Sequence, residues 1–210
     1  GKMTNNRELD VIVYGATGFT GRLVAEYLNN QYGVNGELNW AMAGRSQAKL
    51  EQVRDEMGIS AEVPLVVANA SDLDSIKVMV GRTKVVCTTV GPYQLYGNEL
   101  VEACAAAGTD YVDLCGEPGW MHKMIEAHSD AAKASGARIV FSCGFDSIPF
   151  DLGVLFLQQT AEQKFGRTVP RVRGRVRAMK GTFSGGTLAS FRATMAAAAQ
   201  DRELINVLRN

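Results

Sequence analysis

The stretch 11–21, VIVYGATGFTG, constrains the fold more than any other part of the chain. A short apolar run, Val11, Ile12, Val13 and Tyr14, stops at Gly15, and Gly18 and Gly21 follow at three-residue spacing. Leu23, Val24, Tyr27 and Leu28 then take up a helical period. Strand, glycine turn and helix in that order open a dinucleotide-binding βαβ unit. Gly15 lets the chain leave the strand in a conformation a side chain resists. Gly18 has no Cβ, so a pyrophosphate can approach the N–H groups and positive dipole of the helix start. Gly21 lets the helix pack closely on its strand. The spacing is G-x-x-G-x-x-G, and alone it also fits a glycine-rich turn without a nucleotide; the flanking strand and helix favour the nucleotide. A second strand, 39–43, ends in Gly44-Arg45-Ser46. An NAD site usually carries an acid there for the ribose hydroxyls, whereas an arginine and a hydroxyl suit the 2′-phosphate of NADP. Arg45 also reads as a solvated loop cation.

The pattern then repeats. A helix is predicted over 47–57, a strand over 64–68, and a helix through Val80 with Ser71 as N-cap. A fourth strand, 84–89, runs into Val90-Gly91-Pro92-Tyr93. A helix over 98–107 stops at Gly108, a fifth strand covers 111–114, a helix 119–134 stops near Gly136, and a sixth strand covers 137–142. Six short apolar strands alternating with helices predict a doubly wound parallel α/β sheet, a Rossmann fold of order 3-2-1-4-5-6 with both faces covered. This domain spans 11–149, after a tag and disordered N-terminus at 1–10. Residues 150–210 read as the start of a second α/β domain for substrate or dimerisation: a helix 150–165, a strand 171–180, a glycine-rich loop 181–187 and a helix 188–208. In the strand, Arg171, Arg173, Arg175 and Arg177 share one face, as a solvated edge or as a platform for an anion. So short a piece is too small for its own core. The chain is therefore expected to be cut off inside this domain, to expose Leu155 and Phe156, and to bind cofactor while turning over poorly.

The chain has 210 residues, 46% hydrophobic and 21% charged, with 22 basic and 22 acidic side chains. Zero net charge gives no global field for nucleic acid. No apolar run approaches the roughly 18 residues of a membrane span, and the polar start lacks a signal peptide's pattern. Cys87, Cys104, Cys115 and Cys143 lie singly in or beside apolar segments, and His122 and His128 are six apart. Reduced thiols, no metal site and a cytoplasmic location are the expectation, with membrane association and a homodimer left open.

Four segments together, VIVYGATGFTG, AMAGRSQAKL (41–50), TTVGPYQLYGNELVEACAAAGTDYVDLCGE (88–117) and CGFDSIPFDLGV (143–154), carry a resemblance to a family. The chain resembles the saccharopine dehydrogenase-like oxidoreductases, in the branch of the mycobacterial trans-acting enoyl reductases and the vertebrate saccharopine dehydrogenase-like protein. The resemblance implies a pyrophosphate loop of Gly15, Thr17, Gly18, Phe19, Thr20 and Gly21, and a 2′-phosphate site at Arg45 and Ser46. It implies a nicotinamide beside Val90, Gly91, Pro92 and Tyr93, and a substrate border at Asp146 and Asp151. Ser-Ile-Pro stands where saccharopine reductases carry Pro-Gly, which argues against an amino-acid substrate. The implied function is an NADPH-dependent oxidoreductase, an enoyl reductase acting in trans on lipid or polyketide intermediates such as acyl thioesters. A non-catalytic NADP-binding sensor or scaffold is the alternative. Catalytic candidates are Tyr93 as donor to a developing enolate, Tyr96 in reserve and Asp146 in a positioning role. Each has a plainer reading: Tyr93 and Tyr96 as packing residues, Asp146 as cap of the helix near Pro149, Asp113 and Glu117 as caps of the helix before it.

Overall fold

The computed structural model describes residues 7–182, 184–201 and 205–207. Strands β1 (Leu9–Tyr14), β2 (Trp40–Gly44), β3 (Leu65–Val67), β4 (Thr83–Thr88), β5 (Asp110–Val112) and β6 (Ile139–Val140) form one sheet in the order β3-β2-β1-β4-β5-β6. Every pairing is parallel, as the alternation of strands and helices predicts. Helices α1 (Phe19–Tyr32), α2 (Gln47–Glu56), α3 (Leu73–Gly81), α4 (Tyr93–Tyr96), α5 (Asn98–Ala107) and α6 (Pro118–Ser135) connect the strands. Helices α7 (Ile148–Phe165) and α8 (Gly185–Gln200) follow.

The two-residue period of a strand divides the core between the sheet's faces. Ile12, Tyr14, Ala41, Ala43, Val86 and Tyr111 pack with Ile76 and Met79 of α3 and Leu100 and Cys104 of α5. Val13, Trp40 and Met42 point the other way, onto Ala25 and Leu28 of α1 and Leu50 and Val53 of α2. Each large side chain so buried contributes about 1.5–3 kcal/mol as an upper estimate. α5 and α6 stop at Gly108 and Gly136, both in the left-handed conformation.

Several expectations need correction. Register puts Val85, Cys87, Val112 and Val140 on the face of Val11 and Val13, yet none of the four is buried, and Val140 is 48% exposed. One face of the β4–β6 half is thus open among the described residues. The N-terminal tail is not irregular up to residue 10: β1 begins at Leu9, and the Arg7 guanidinium donates to the carbonyls of Thr83 (2.6 Å) and Ala107 (2.5 Å). Residues 1–6 lie outside the described residues. The cap of α3 is Asp72, whose Oδ1 accepts from the amides of Asp74 and Ser75, while Ser71 turns to Asn69. A carboxylate at the extended residue before the helix outcompetes a hydroxyl one position earlier.

Residues 171–180 are irregular rather than a strand, with all four arginines exposed. Alternation sorts side chains, but a strand needs a neighbour to complete its ladder, and none lies beside this segment among the described residues. Helix α8 starts at Gly185, where the Ser184 hydroxyl accepts from the Thr187 amide, and ends at Gln200, and residues 205–207 are helical again. Phe183, 202–204 and 208, which the predicted loop and helix include, lie outside the described residues. α7 is apolar on all sides only over 152–157, buries only Ala161, and leaves Leu155 and Phe156 52% and 71% exposed.

Candidate active site

The chain order reverses between β1 and β4, and in a doubly wound sheet the crevice outside their C-terminal ends receives the ligand. Gly15 leaves β1 at φ +87°, and its amide and that of Ala16 both donate to the Ala43 carbonyl of β2 (3.0 and 3.1 Å). A Cβ on Gly15 would stand 2.8 Å from both Thr89 Oγ1 and Val90 Cγ2, so the exits of β1 and β4 touch here. The Thr89 amide donates to the Tyr14 carbonyl at 2.9 Å and closes the contact. At Gly21 a Cβ would lie 1.9 Å from the Gly15 carbonyl oxygen, so α1 rests on the turn itself.

The α1 N-terminus is open to an anion. Its N-cap is Gly18, no side chain caps it, and its first turn holds no acid. The amides of Phe19, Thr20 and Gly21 therefore lack the carbonyl partners that later turns supply. Arg22 draws the rim together: its Nε donates to the Thr17 carbonyl (3.0 Å) and its Nη1 stands 3.5 Å from Glu56 of α2. Arg45 directly follows β2, is exposed, and makes no hydrogen bond or ion pair among the described residues. Ser46 is also exposed, and its hydroxyl accepts from the Lys49 amide as the α2 cap. Gly44 lies beside the turn, since a Cβ there would be 3.8 Å from Thr17 Cγ2. Uncapped amides, a helix dipole, and a cation with a hydroxyl at the end of β2 are a donor set that fits a phosphorylated dinucleotide.

Beyond β4, Val90, Gly91 and Pro92 lead into α4, through a cis Gly91–Pro92 bond. Tyr93 does not stand where a donor to substrate would. It is 4% exposed, its ring packs on Trp120 at 5.5 Å between centroids, and its hydroxyl lies 3.4 Å from the Thr88 carbonyl. Burial raises its pKa strongly, and the nearby Asp113 carboxylate adds to that, against a hydrogen bond with the Leu114 backbone. The apolar ring and the apolar slot under α4 explain the placement: this tyrosine is part of the core. Tyr96, one turn on, is 44% exposed. Asp146 and Asp151 are both exposed, Asp151 in the first turn of α7. No hydrogen bond or ion pair among the described residues joins Asp146 to Tyr96 or to the glycine turn. Asp146 does not cap α7 either, whose N-cap is Ser147 without a side-chain bond.

The two acids of the DLCGE segment have structural partners other than the expected ones. Asp113 is buried and accepts from the Tyr111 hydroxyl (2.6 Å) and the amides of Cys115 (2.9 Å) and Ser142 (2.8 Å). Burial raises its pKa, and those three hydrogen bonds work against the rise. Ser142 itself sits at φ +58°, a strained value for a residue with a side chain. Glu117 is the N-cap residue of α6 by position, yet its carboxylate reaches α4 instead. Sequence reasoning missed α4 and this contact; the one signal was an acid placed directly before Pro118, after the apolar and small residues Leu114, Cys115 and Gly116. Among the described residues no group of histidines, cysteines and acids could hold a metal ion, and no helix is long and apolar enough to cross a membrane.

Comparison with known proteins accords with this geometry. Residues 11–140 match the family model described as saccharopine dehydrogenase NADP binding domain. The chain is 46% identical over 196 residues to a putative trans-acting enoyl reductase of Mycobacterium tuberculosis, covering 93% of this chain and 46% of that protein. It is 40% identical over 206 residues to a trans-acting enoyl reductase of Mycobacterium leprae, covering 97% of this chain and 49% of that one. It thus spans about half the length of these relatives. Apo saccharopine dehydrogenase (L-Glu forming) from Saccharomyces cerevisiae shares the fold, with a TM-score of 0.50 at 16% identity over 74% of this chain and 31% of that chain.

Proposed function

Because the chain belongs to the saccharopine dehydrogenase NADP-binding domain family, we propose that it holds NADPH across the β1–β4 switch point and serves reduction of an activated carbon–carbon double bond. The observation that carries the reading is the uncapped, acid-free α1 N-terminus beside Arg45, which suits a pyrophosphate and a 2′-phosphate together. The names of the relatives support an enoyl substrate over a non-catalytic sensor; an acyl thioester from lipid or polyketide assembly is the substrate class we propose. When bound, the cofactor supplies a hydride.

This chain's residues do the rest. The amides of Phe19, Thr20 and Gly21 hold the pyrophosphate, Arg45 and Ser46 hold the 2′-phosphate, and the backbone of Val90, Gly91 and Pro92 borders the nicotinamide. Reduction at the β-carbon places negative charge on the thioester oxygen, which needs a donor set for the transition state rather than the ground state. With the Tyr93 hydroxyl turned into the core, Tyr96 takes that role, since a phenol donates without carrying charge. Asp146, exposed beyond β6, orients substrate or a water. The 210-residue chain binds cofactor but turns over slowly, a reading supported by the bare apolar surface of α7 and the open half-face of the sheet. The test is NADPH oxidation with a 2-enoyl thioester, measured on this chain and on the same protein at the length of its relatives. Enoyl-dependent oxidation at the greater length is expected. Oxidation that ignores the enoyl group, or none in a protein that binds NADPH, would overturn the reaction class.

A further inference from the structure

Glu117 is 2% exposed, and its carboxylate makes three contacts, all of them to α4. Oε2 accepts from the Tyr93 amide at 2.7 Å, and Oε1 accepts from the Gln94 amide at 3.2 Å and from Gln94 Nε2 at 2.9 Å. Those amides are the first two of α4, whose N-cap is Pro92 and which has no side-chain cap of its own. The cap comes instead from a residue 24 positions away, on the far side of β5. A buried acid is costly unless its oxygens are filled, and here both are filled by α4 alone. Trp120, three residues on, stacks on Tyr93 and donates from Nε1 to Asn98 Oδ1 at 2.7 Å, which fixes the start of α5 as well.

The segment so anchored is short. Four residues, Thr89, Val90, Gly91 and Pro92, join β4 to α4, and at their near end Thr89 and Val90 pack against the Gly15 turn. The carboxylate therefore holds one end of this segment and the β1 exit holds the other. We propose that Glu117 is a positioning residue for the nicotinamide half of the cofactor, acting through α4 on Val90–Pro92 and leaving the adenosine half untouched. This inference rests on the cofactor reading above and extends it to a residue that touches no ligand. The adenosine half has its own supports, Arg45 and Ser46 after β2 and the amides of α1, and none of them contacts Glu117.

The experiment compares NADPH with 2′,5′-ADP, which carries the adenosine half and no nicotinamide, on the unmutated protein and on Glu117→Gln. The amide side chain keeps the shape but turns one acceptor into a donor facing backbone N–H groups. NADPH affinity should fall about tenfold or more, the scale of a lost charge-assisted hydrogen bond, while 2′,5′-ADP binding stays within about twofold. Equal losses for both ligands would make Glu117 a general structural cap, and no loss for either would deny it any role; both results overturn the proposal. If the unmutated protein binds neither ligand, the cofactor reading itself fails, and the proposal falls with it. Should Glu117→Gln not fold, Gln94→Leu removes one of the three donors; a selective loss for NADPH of about threefold supports the proposal, and no selective loss overturns it.

Discussion

Gly21→Ala measures how tightly α1 rests on the glycine turn. The new Cβ would lie 1.9 Å from the Gly15 carbonyl oxygen, 2.6 Å from its carbon and 2.9 Å from the Ala16 Cα. All three are backbone atoms, so no side chain can swing aside. Ordinary contact begins at 3.4 Å, and α1 must retreat by about 1.5 Å to reach it. Overpacking of this kind costs about 1–3 kcal/mol, against about 1 kcal/mol gained by replacing a helical glycine with alanine. A backbone clash as close as this one belongs at the upper end of that cost, so a net loss near 2 kcal/mol lowers Tm by about 4–8 °C in a chain of this size. The same retreat carries the α1 amides away from the turn, so NADPH affinity should fall more than about tenfold. Thermal unfolding and cofactor titration read both effects. Gly81→Ala is the control: it lies at the end of α3 with nothing within 4 Å of an added Cβ, and should leave stability equal or slightly higher. Gly21→Ala protein with unchanged Tm and unchanged affinity would refute the packing argument.

Other outcomes follow from single contacts. Tyr93→Phe removes only a hydroxyl that meets the Thr88 carbonyl and the Leu114 backbone, so it should cost about 1 kcal/mol in denaturant unfolding and leave turnover nearly intact. Tyr96→Phe, by contrast, should lower turnover by about 10²–10⁴-fold with NADPH affinity kept, and the reverse pattern would return the donor role to Tyr93. Asp10 has a lowered pKa, chiefly from its hydrogen bond with Lys84 (2.7 Å) and then from the Asn39 amide. Its stabilisation is present above the ordinary value of 3.8 and is lost as pH falls through the lower folded value. Asp10→Asn should therefore cost less than about 1 kcal/mol at neutral pH, since the pair is partly exposed, and nothing in strong acid. An equal cost at both pH values would show that charge is not its source.

The sheet was legible because its strands are short, apolar and separated by helical periods; the order of strands follows from that alternation and the handedness of crossovers. The glycine turn was legible for a different reason, since Gly15 and Gly21 occupy places no side chain can fill. α4 was not, because four residues hold too little periodicity to read, and its cap lies beyond β5. Tyr93 looked like a donor because it follows β4, but linear position says nothing of which way a ring turns; Trp120 and the slot beneath α4 decide that. The arginine alternation at 171–177 carried the period of a strand without the neighbour that makes one. Glu117 and Asp113 were legible as acids in apolar surroundings, and only tertiary contacts reveal which amides they serve.

The central claim is that the β1–β4 crevice takes NADPH by its 2′-phosphate as well as its pyrophosphate. Parallel titration of NADPH and NADH against the unmutated protein and Arg45→Glu tests it most directly. The unmutated protein should bind NADPH about tenfold or more tightly than NADH, and Arg45→Glu should reverse the order by adding repulsion to a lost attraction. Equal affinities in the unmutated protein, or a preference that survives Arg45→Glu, would contradict it.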